Sequence, residues 1–292
     1  MRKKSWRRKA LLLAGVLMGT AVLSACQSVE GGSAVREEQT VGDAGFRQDP
    51  PQHWSKQELR DTVLICLVRH GQTVANAEEI LADGSMDSPL TDQGKAEALR
   101  MGKALAEDDF RFDFCYASGL GRAMRTAGLI LKGDQDESVH AQAKHGLNDV
   151  LLGKAAGRRQ EEVLKEFGEN AIAEYTYSVP GDGFESPLGA EDKLHFVRRF
   201  DRAMTEVAEE SLEKMRIQGI ASNRGPQVLV AAHSSAAFWL SWKFPSSGVT
   251  NLDNVSATVL LYRNGQWYLR YVNELDYDNL ASKLTELWKS NI

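Results

Sequence analysis

Arg69, His70 and Gly71 stand directly after TVLICLV, an apolar and β-branched run ending at Val68. A charge beside a buried strand is costly unless something compensates it, so core packing gives no reason for this pair. Three further pieces fall at comparable places. Ser118-Gly-Leu-Gly-Arg122 follows FDFCYA, Leu147-Asn148-Asp149 precedes Leu152-Gly153, and Ala231-Ala232-His233-Ser234-Ser235 closes QVLVAA. Two guanidiniums offer forked donors that match phosphate oxygens and stay charged at working pH. A histidine can attack phosphorus through one neutral ring nitrogen while the other holds its proton for a nearby acceptor. Phosphoryl transfer needs mainly positioning and electrostatic stabilisation, which such a set supplies. Arg69 and Arg122 therefore fit as phosphate clamps, His70 as nucleophile, protonated His233 as a third cation and Asn76 as a neutral donor. Gly71 would permit tight backbone close to the ligand. Singly, either arginine reads as a surface ion pair and His233 as a satisfied strand-end histidine. Their recurrence at corresponding strand ends points to a pocket.

The elements that must position these residues alternate. Strands are expected at 62–68, 112–117, 138–144 and 227–232, the last continuous in apolar residues as a doubly covered parallel strand should be. Helices are expected near 91–107, with Thr91 as N-cap and Asp92 in its first turn, and at 120–131, 158–170, 190–216, from about 235, and at 277–289. Asn264-Gly265 between two β runs predicts a hairpin. This order implies a three-layer α/β/α sandwich with a mainly parallel sheet, whose ligand site lies beyond the carboxyl ends of the strands. Ser118 and Thr126 read as local helix-end donors, and Trp239 and Trp242 as packing on one helix face. Arg125, His53, His140, His145 and His195 match no motif.

LVRHGQTVAN, with Thr73 and Asn76, resembles the opening motif of the histidine phosphatase superfamily, in its phosphoglycerate mutase-like branch. SPLTDQG (88–94), SGLGRAMRTA and PGDGFES (180–186) resemble later blocks in the same order, so the resemblance covers roughly residues 62–272. It implies the phosphoglycerate mutase-like fold and a phosphohistidine on His70 with no cofactor and no metal. It also implies a small phosphorylated substrate, with Asp149 as general acid. The sequence departs from the family pattern at three positions. Aspartate stands at 149 where glutamate is usual, Ala156 precedes Gly157 in place of glutamate, and Ser234 follows His233 in place of glycine. The shorter carboxyl would sit on the order of 1.5 Å back, and a displacement of ~1 Å can cost about a hundredfold in rate.

At the N-terminus, MRKKSWRRK precedes an apolar stretch shorter than the ~20 residues a membrane span needs. It ends in Leu23-Ser24-Ala25-Cys26, which resembles the lipobox of bacterial lipoproteins. The expected organisation is a signal peptide over 1–25, a lipid-anchored flexible linker over 26–57 with lipid on Cys26, and a phosphatase domain over 58–292. That places the protein in a bacterial cell envelope, held to the extracytoplasmic side of a membrane. Without residues 1–25, which hold six of the 35 basic residues and no acidic one, 29 basic residues face 40 acidic ones. The formal charge is then -11, which argues against nucleic acid as a partner. Cys66 and Cys115 lie in apolar strands and leave open whether they pair. The function these readings support is an extracytoplasmic phosphomonoesterase. The alternatives are a phosphoglycerate-type mutase and a surface module that binds phosphorylated ligands with catalysis weakened.

Overall fold

The run before Arg69 forms β1, Val63–Arg69, in which every residue but the last is buried. Its side chains divide by parity: Leu64, Cys66 and Val68 enter one core, and Val63, Ile65 and Leu67 the other. A strand buried on both faces must be covered twice, and the protein, described by a computed structural model over residues 54–134, 138–219 and 223–289, is built around that requirement. In chain order the elements are α1 (Lys56–Arg60), β1, α2 (Val74–Ala77), α3 (Asp92–Glu107), β2 (Phe114–Ala117), α4 (Gly121–Asp134), β3 (Ala141–Ala143), α5 (Gln160–Phe167) and α6 (Ala171–Tyr177). They continue with α7 (Lys193–Ile217), β4 (Gln227–Ala232), α8 (Ala236–Lys243), β5 (Ala257–Arg263), β6 (Gln266–Glu274) and α9 (Tyr277–Lys289).

The sheet order is β3-β2-β4-β1-β5-β6. The β1–β4, β2–β4 and β2–β3 pairs are parallel, while β5 and β6 run antiparallel at one edge. One core packs α3, α4 and α9 on the sheet, through Met101, Ile130 and Leu284 among others. The opposite core packs α7 and α8 through Phe196, Phe200 and Trp239. This is the expected three-layer sandwich. Thr91 caps α3 by accepting from the Gly94 amide, and Asn264-Gly265 turns the β5–β6 hairpin with both residues at positive φ.

Several boundaries differ from the sequence expectation. The helix expected over 158–170 stops at Phe167, because Gly168 adopts φ 98°, and a separate α6 follows. The strand expected over 138–144 is only three residues long, at the sheet edge. The linker expected to run to residue 57 already packs from Trp54. That indole is buried, meets Tyr268 edge-on at 5.8 Å, and is followed by a capping box on Ser55 and Glu58. Cys66 and Cys115 are free thiols. Both are in register with Leu229, on opposite sides of β4, so they lie about two strand spacings (~9.6 Å) apart and outside bridging range. Burial pushes the Cys66 thiol up to about 12. Cys26 and the stretch before Trp54 lie outside the described residues, and no described helix is long and apolar enough to cross a membrane.

Candidate active site

His70 lies just past the carboxyl end of β1, and its backbone amide donates to Ala232 O of neighbouring β4 at 2.9 Å. His233 follows that same β4, so the parallel pairing brings the two rings to 5.3 Å between centroids. Both side chains are almost wholly buried. The Nδ1 of His70 is 2.9 Å from the Gly71 carbonyl, which can only accept, so Nδ1 carries the proton and Nε2 the lone pair. Burial, and beyond it the neighbouring His233, Arg69 and Arg122, holds the His70 pKa well below its usual value, so the ring is neutral at neutral pH.

Gly71 is explained by packing. A Cβ there would come within 2.7 Å of the Gly94 carbonyl at the start of α3, and its amide donates to Thr126 Oγ1 on α4 at 2.9 Å. Thr126 is thus a helix-borne donor–acceptor that fixes the loop. A second clamp is the segment before β5. Leu252 O accepts from Arg69 at 2.5 Å, the Asn254 amide donates to His70 O at 2.8 Å, and Val255 N–H donates to Arg69 O at 3.0 Å. Val255 holds φ 56°, a backbone conformation that costs a β-branched residue of order 1–3 kcal/mol and persists where its surroundings enforce it.

Arg122, in the first turn of α4, is 2% exposed. Its guanidinium donates to Met86 O at 2.8 Å, Asp83 O at 3.0 Å and Asp149 Oδ2 at 3.0 Å. Asp149 therefore does reach the pocket despite its short side chain: Oδ2 is also 3.5 Å from His233 Nδ1. Its Oδ1 accepts from Ser235 Oγ at 2.5 Å and from Val150 N–H at 3.0 Å. Three donors thus converge on its two oxygens.

The expectation that His233 is a cation is corrected here. Burial, reinforced by Arg122, Arg69 and Arg199, holds its pKa well below the usual value. Asp149 at 3.5 Å is beyond hydrogen-bond length and does not outweigh three guanidiniums. His233 is a neutral ring, and neither of its buried nitrogens has a partner. The Nε atoms of Arg69 and Arg122 are likewise buried and unpartnered. Such orphaned donors are costly, and their convergence here fits an anion that the site binds. Asn76 has a local role besides the donor role expected of it. Its Oδ1 accepts from Thr73 N–H at 3.2 Å and closes the α2 capping box, leaving only the amide nitrogen for a ligand.

Three site residues carried no sequence signal. Arg199 on α7 grips Glu191 through both carboxylate oxygens at 2.9 Å and also donates to the carbonyls of Gly146, Asn148 and Asp149, fixing the loop that carries Asp149. Ser235, ahead of α8, orients Asp149, and Asn254 supports His70. Trp239 lies in the core, donating to Asp201 at 2.8 Å. Ser118, expected as a local helix-end donor, instead donates to Asn148 Oδ1, 30 residues away, at 3.0 Å, and locally accepts from the Leu120 amide at 3.2 Å.

The sheet order, the paired histidines and the two arginines at strand ends define a phosphate-handling α/β protein. Residues 65–275 match the family model of the histidine phosphatase superfamily (branch 1), and the chain belongs to that superfamily, whose members are enzymes acting on small phosphorylated substrates. It is 30% identical over 207 residues to a 2,3-bisphosphoglycerate-dependent phosphoglycerate mutase of Azorhizobium caulinodans, covering 69% of this chain and 92% of the relative. A relative of the same name from Staphylococcus haemolyticus is 29% identical over 227 residues, covering 74% of this chain and 95% of that one. Among solved structures, a phosphoglycerate mutase from Bacillus anthracis superposes with a TM-score of 0.65 at 22% identity, covering 77% of this chain and 99% of that one. A mycobacterial glucosyl-3-phosphoglycerate phosphatase in complex with VO3 gives 0.54 at 20% identity, covering 72% and 98%.

Proposed function

We propose that the protein is an extracytoplasmic phosphomonoesterase, metal-independent, that hydrolyses phosphate esters through a phosphohistidine on His70. The observation that carries this reading is the buried pair His70 and His233 with Arg69 and Arg122 around it. A neutral His70 with its lone pair on Nε2 lies 5.3 Å from the His233 ring between centroids, and His233, Arg69 and Arg122 each keep a buried nitrogen without a hydrogen-bond partner. The Nε2 of His70 attacks phosphorus and the bond from phosphorus to the ester oxygen breaks. The arginines and His233 take up charge on the three equatorial oxygens as the transition state forms. Asp149 delivers a proton to the departing oxygen. The dianionic ester, set against the carboxylate, favours its protonated form by like-charge repulsion. Water then attacks the phosphohistidine, gives its proton to Asp149, and releases phosphate with His70 neutral again. The membrane attachment rests on the basic flank, short apolar core and lipobox-like Leu23–Cys26.

The test is phosphate release from aryl and alkyl phosphates by the full-length chain in detergent and EDTA, beside His70→Ala. Loss of all turnover in the variant is expected, and turnover surviving the substitution rules the mechanism out. A second reading, a phosphoglycerate-type mutase using the same phosphohistidine, is favoured by the names of the curated relatives. Phosphoryl transfer between positions of phosphoglycerate in preference to water would establish it.

A further inference from the structure

Next to His233, and lined by Asp149, Ser234 and Ser235, lies a cavity of about 210 Å³. Its apolar lining includes Leu81, Leu152, Ile172, Leu188 and Phe238, drawn from the loop after α2, the segment before α5, α6, the segment after it, and α8. Asp149 is its only charged lining residue; the remaining polar lining is neutral, from groups such as Thr176 and Asn251. The cations around it are engaged elsewhere: Arg122 by Asp149 and the carbonyls of Met86 and Asp83, Arg158 by Glu166, and Lys154 at 5.8 Å from the Phe167 ring. Lys193 donates to the carbonyls of Thr176 and Ser178 and sits 4.2 Å from the Phe238 ring, while Arg199 is held by Glu191. With Asp149 as the proton donor of the phosphatase reading, the ester oxygen of a phosphate on His70 faces Asp149, and the alcohol part of the substrate extends into the cavity that Asp149 lines.

We infer that the substrate class is phosphomonoesters of uncharged, largely apolar alcohols, alkyl or aryl, and that phosphoglycerates and other esters carrying a second anion are poor substrates. The inference rests on the phosphatase reading above and adds the identity of the leaving group. A carboxylate on the leaving group would enter a cavity whose lining carries no cation, and so would lose its hydration without a charged partner. An apolar chain gains by leaving water there.

The test is kcat/KM of the full-length chain in detergent for methyl, butyl, hexyl and octyl phosphate, phenyl and 2-naphthyl phosphate, glycerol 3-phosphate and 3-phosphoglycerate. The expected result is a rise of about fourfold per added methylene, the equivalent of about 0.8 kcal/mol each, until the cavity is filled, with 3-phosphoglycerate at the bottom of the panel. Ile172→Lys should flatten the chain-length slope, and Ile172→Ser should halve it on a logarithmic scale. If neither variant folds, the slope of the unmodified protein still decides. Hydrolysis that depends on His70 but is flat across chain length, or that favours 3-phosphoglycerate, overturns this inference and leaves the phosphatase reading standing. No hydrolysis of any ester overturns both.

Discussion

At the residue scale, the decisive contact is Asp149 with Arg122 and Ser235, because it sets what the carboxylate can do. If Asp149 protonates the leaving oxygen, its loss should matter only where the leaving group needs a proton. Asp149→Asn is expected to lower kcat/KM for alkyl phosphates by about 10²–10⁴ and to leave p-nitrophenyl phosphate within about tenfold. Equal loss on both substrates would show that the residue serves only geometry. The same substitution removes an anion from the phosphate pocket, so inorganic phosphate should inhibit Asp149→Asn more strongly than the unmodified protein. The nucleophile must be neutral, and its pKa is held well below 6.5, so an NMR titration of the ligand-free protein should find the His70 ring still unprotonated as pH falls through 6.5. A His70 resonance that titrates at 6.5 would contradict the neutral, buried ring. Much of this site was legible in the sequence, because arginines and histidines at strand ends form local patterns. The charge of His233 was not, since it depends on burial and on three arginines that only the fold assembles. Arg199, Ser235 and Asn254 were not legible either, because each acts on a loop 50 to 184 residues away in sequence.

At the element scale, the parallel β1–β4 pair does the main work: it fixes His70 beside His233 before any side chain contributes. Long periodic segments such as α3, α7 and β4 were readable because burial on one or both faces imposes their pattern. Short elements such as α1 and α6 offer too few residues for a period to show, and α1 is the first of the described elements. Trp54→Ala is accordingly expected to cost ~3–5 kcal/mol by denaturant unfolding, and Ser55→Ala about 1 kcal/mol, with kcat unchanged for both. A truncation starting at residue 58 should lose both contributions, and a truncated chain as stable as the full one would show that α1 is dispensable. Lys193, which ties the end of α6 to α7, has its pKa lowered to about 8 by burial. Its unfolded counterpart stays protonated up to about 10.5, so between these values the unfolded chain binds more protons and stability from this group rises with pH. Lys193→Met should remove that rise, as read from unfolding midpoints between pH 8 and 10.

At the scale of the whole molecule, two neutral buried histidines make the fold sensitive to acid. Below pH 6.5 the unfolded chain takes up protons that His70 and His233 refuse, so stability present at neutral pH is lost as pH falls. Phosphate should offset this by binding only the folded form, contributing about 2.7 kcal/mol at a hundred times its Kd. The N-terminal readings predict that Cys26→Ser moves the protein from the membrane fraction to the soluble one, and membrane retention by that variant would contradict lipid anchoring. The central claim is a covalent phosphoryl group on His70. It is tested most directly by mixing enzyme with a saturating aryl phosphate, quenching in alkali within the first turnover, and sequencing peptides by mass spectrometry. The account predicts one phosphoryl group, on the peptide spanning Val63–Ala77 and assigned to His70, that disappears once substrate is exhausted. A stoichiometric burst of product alcohol with no phosphoryl group on His70, or with one on another residue, would contradict it.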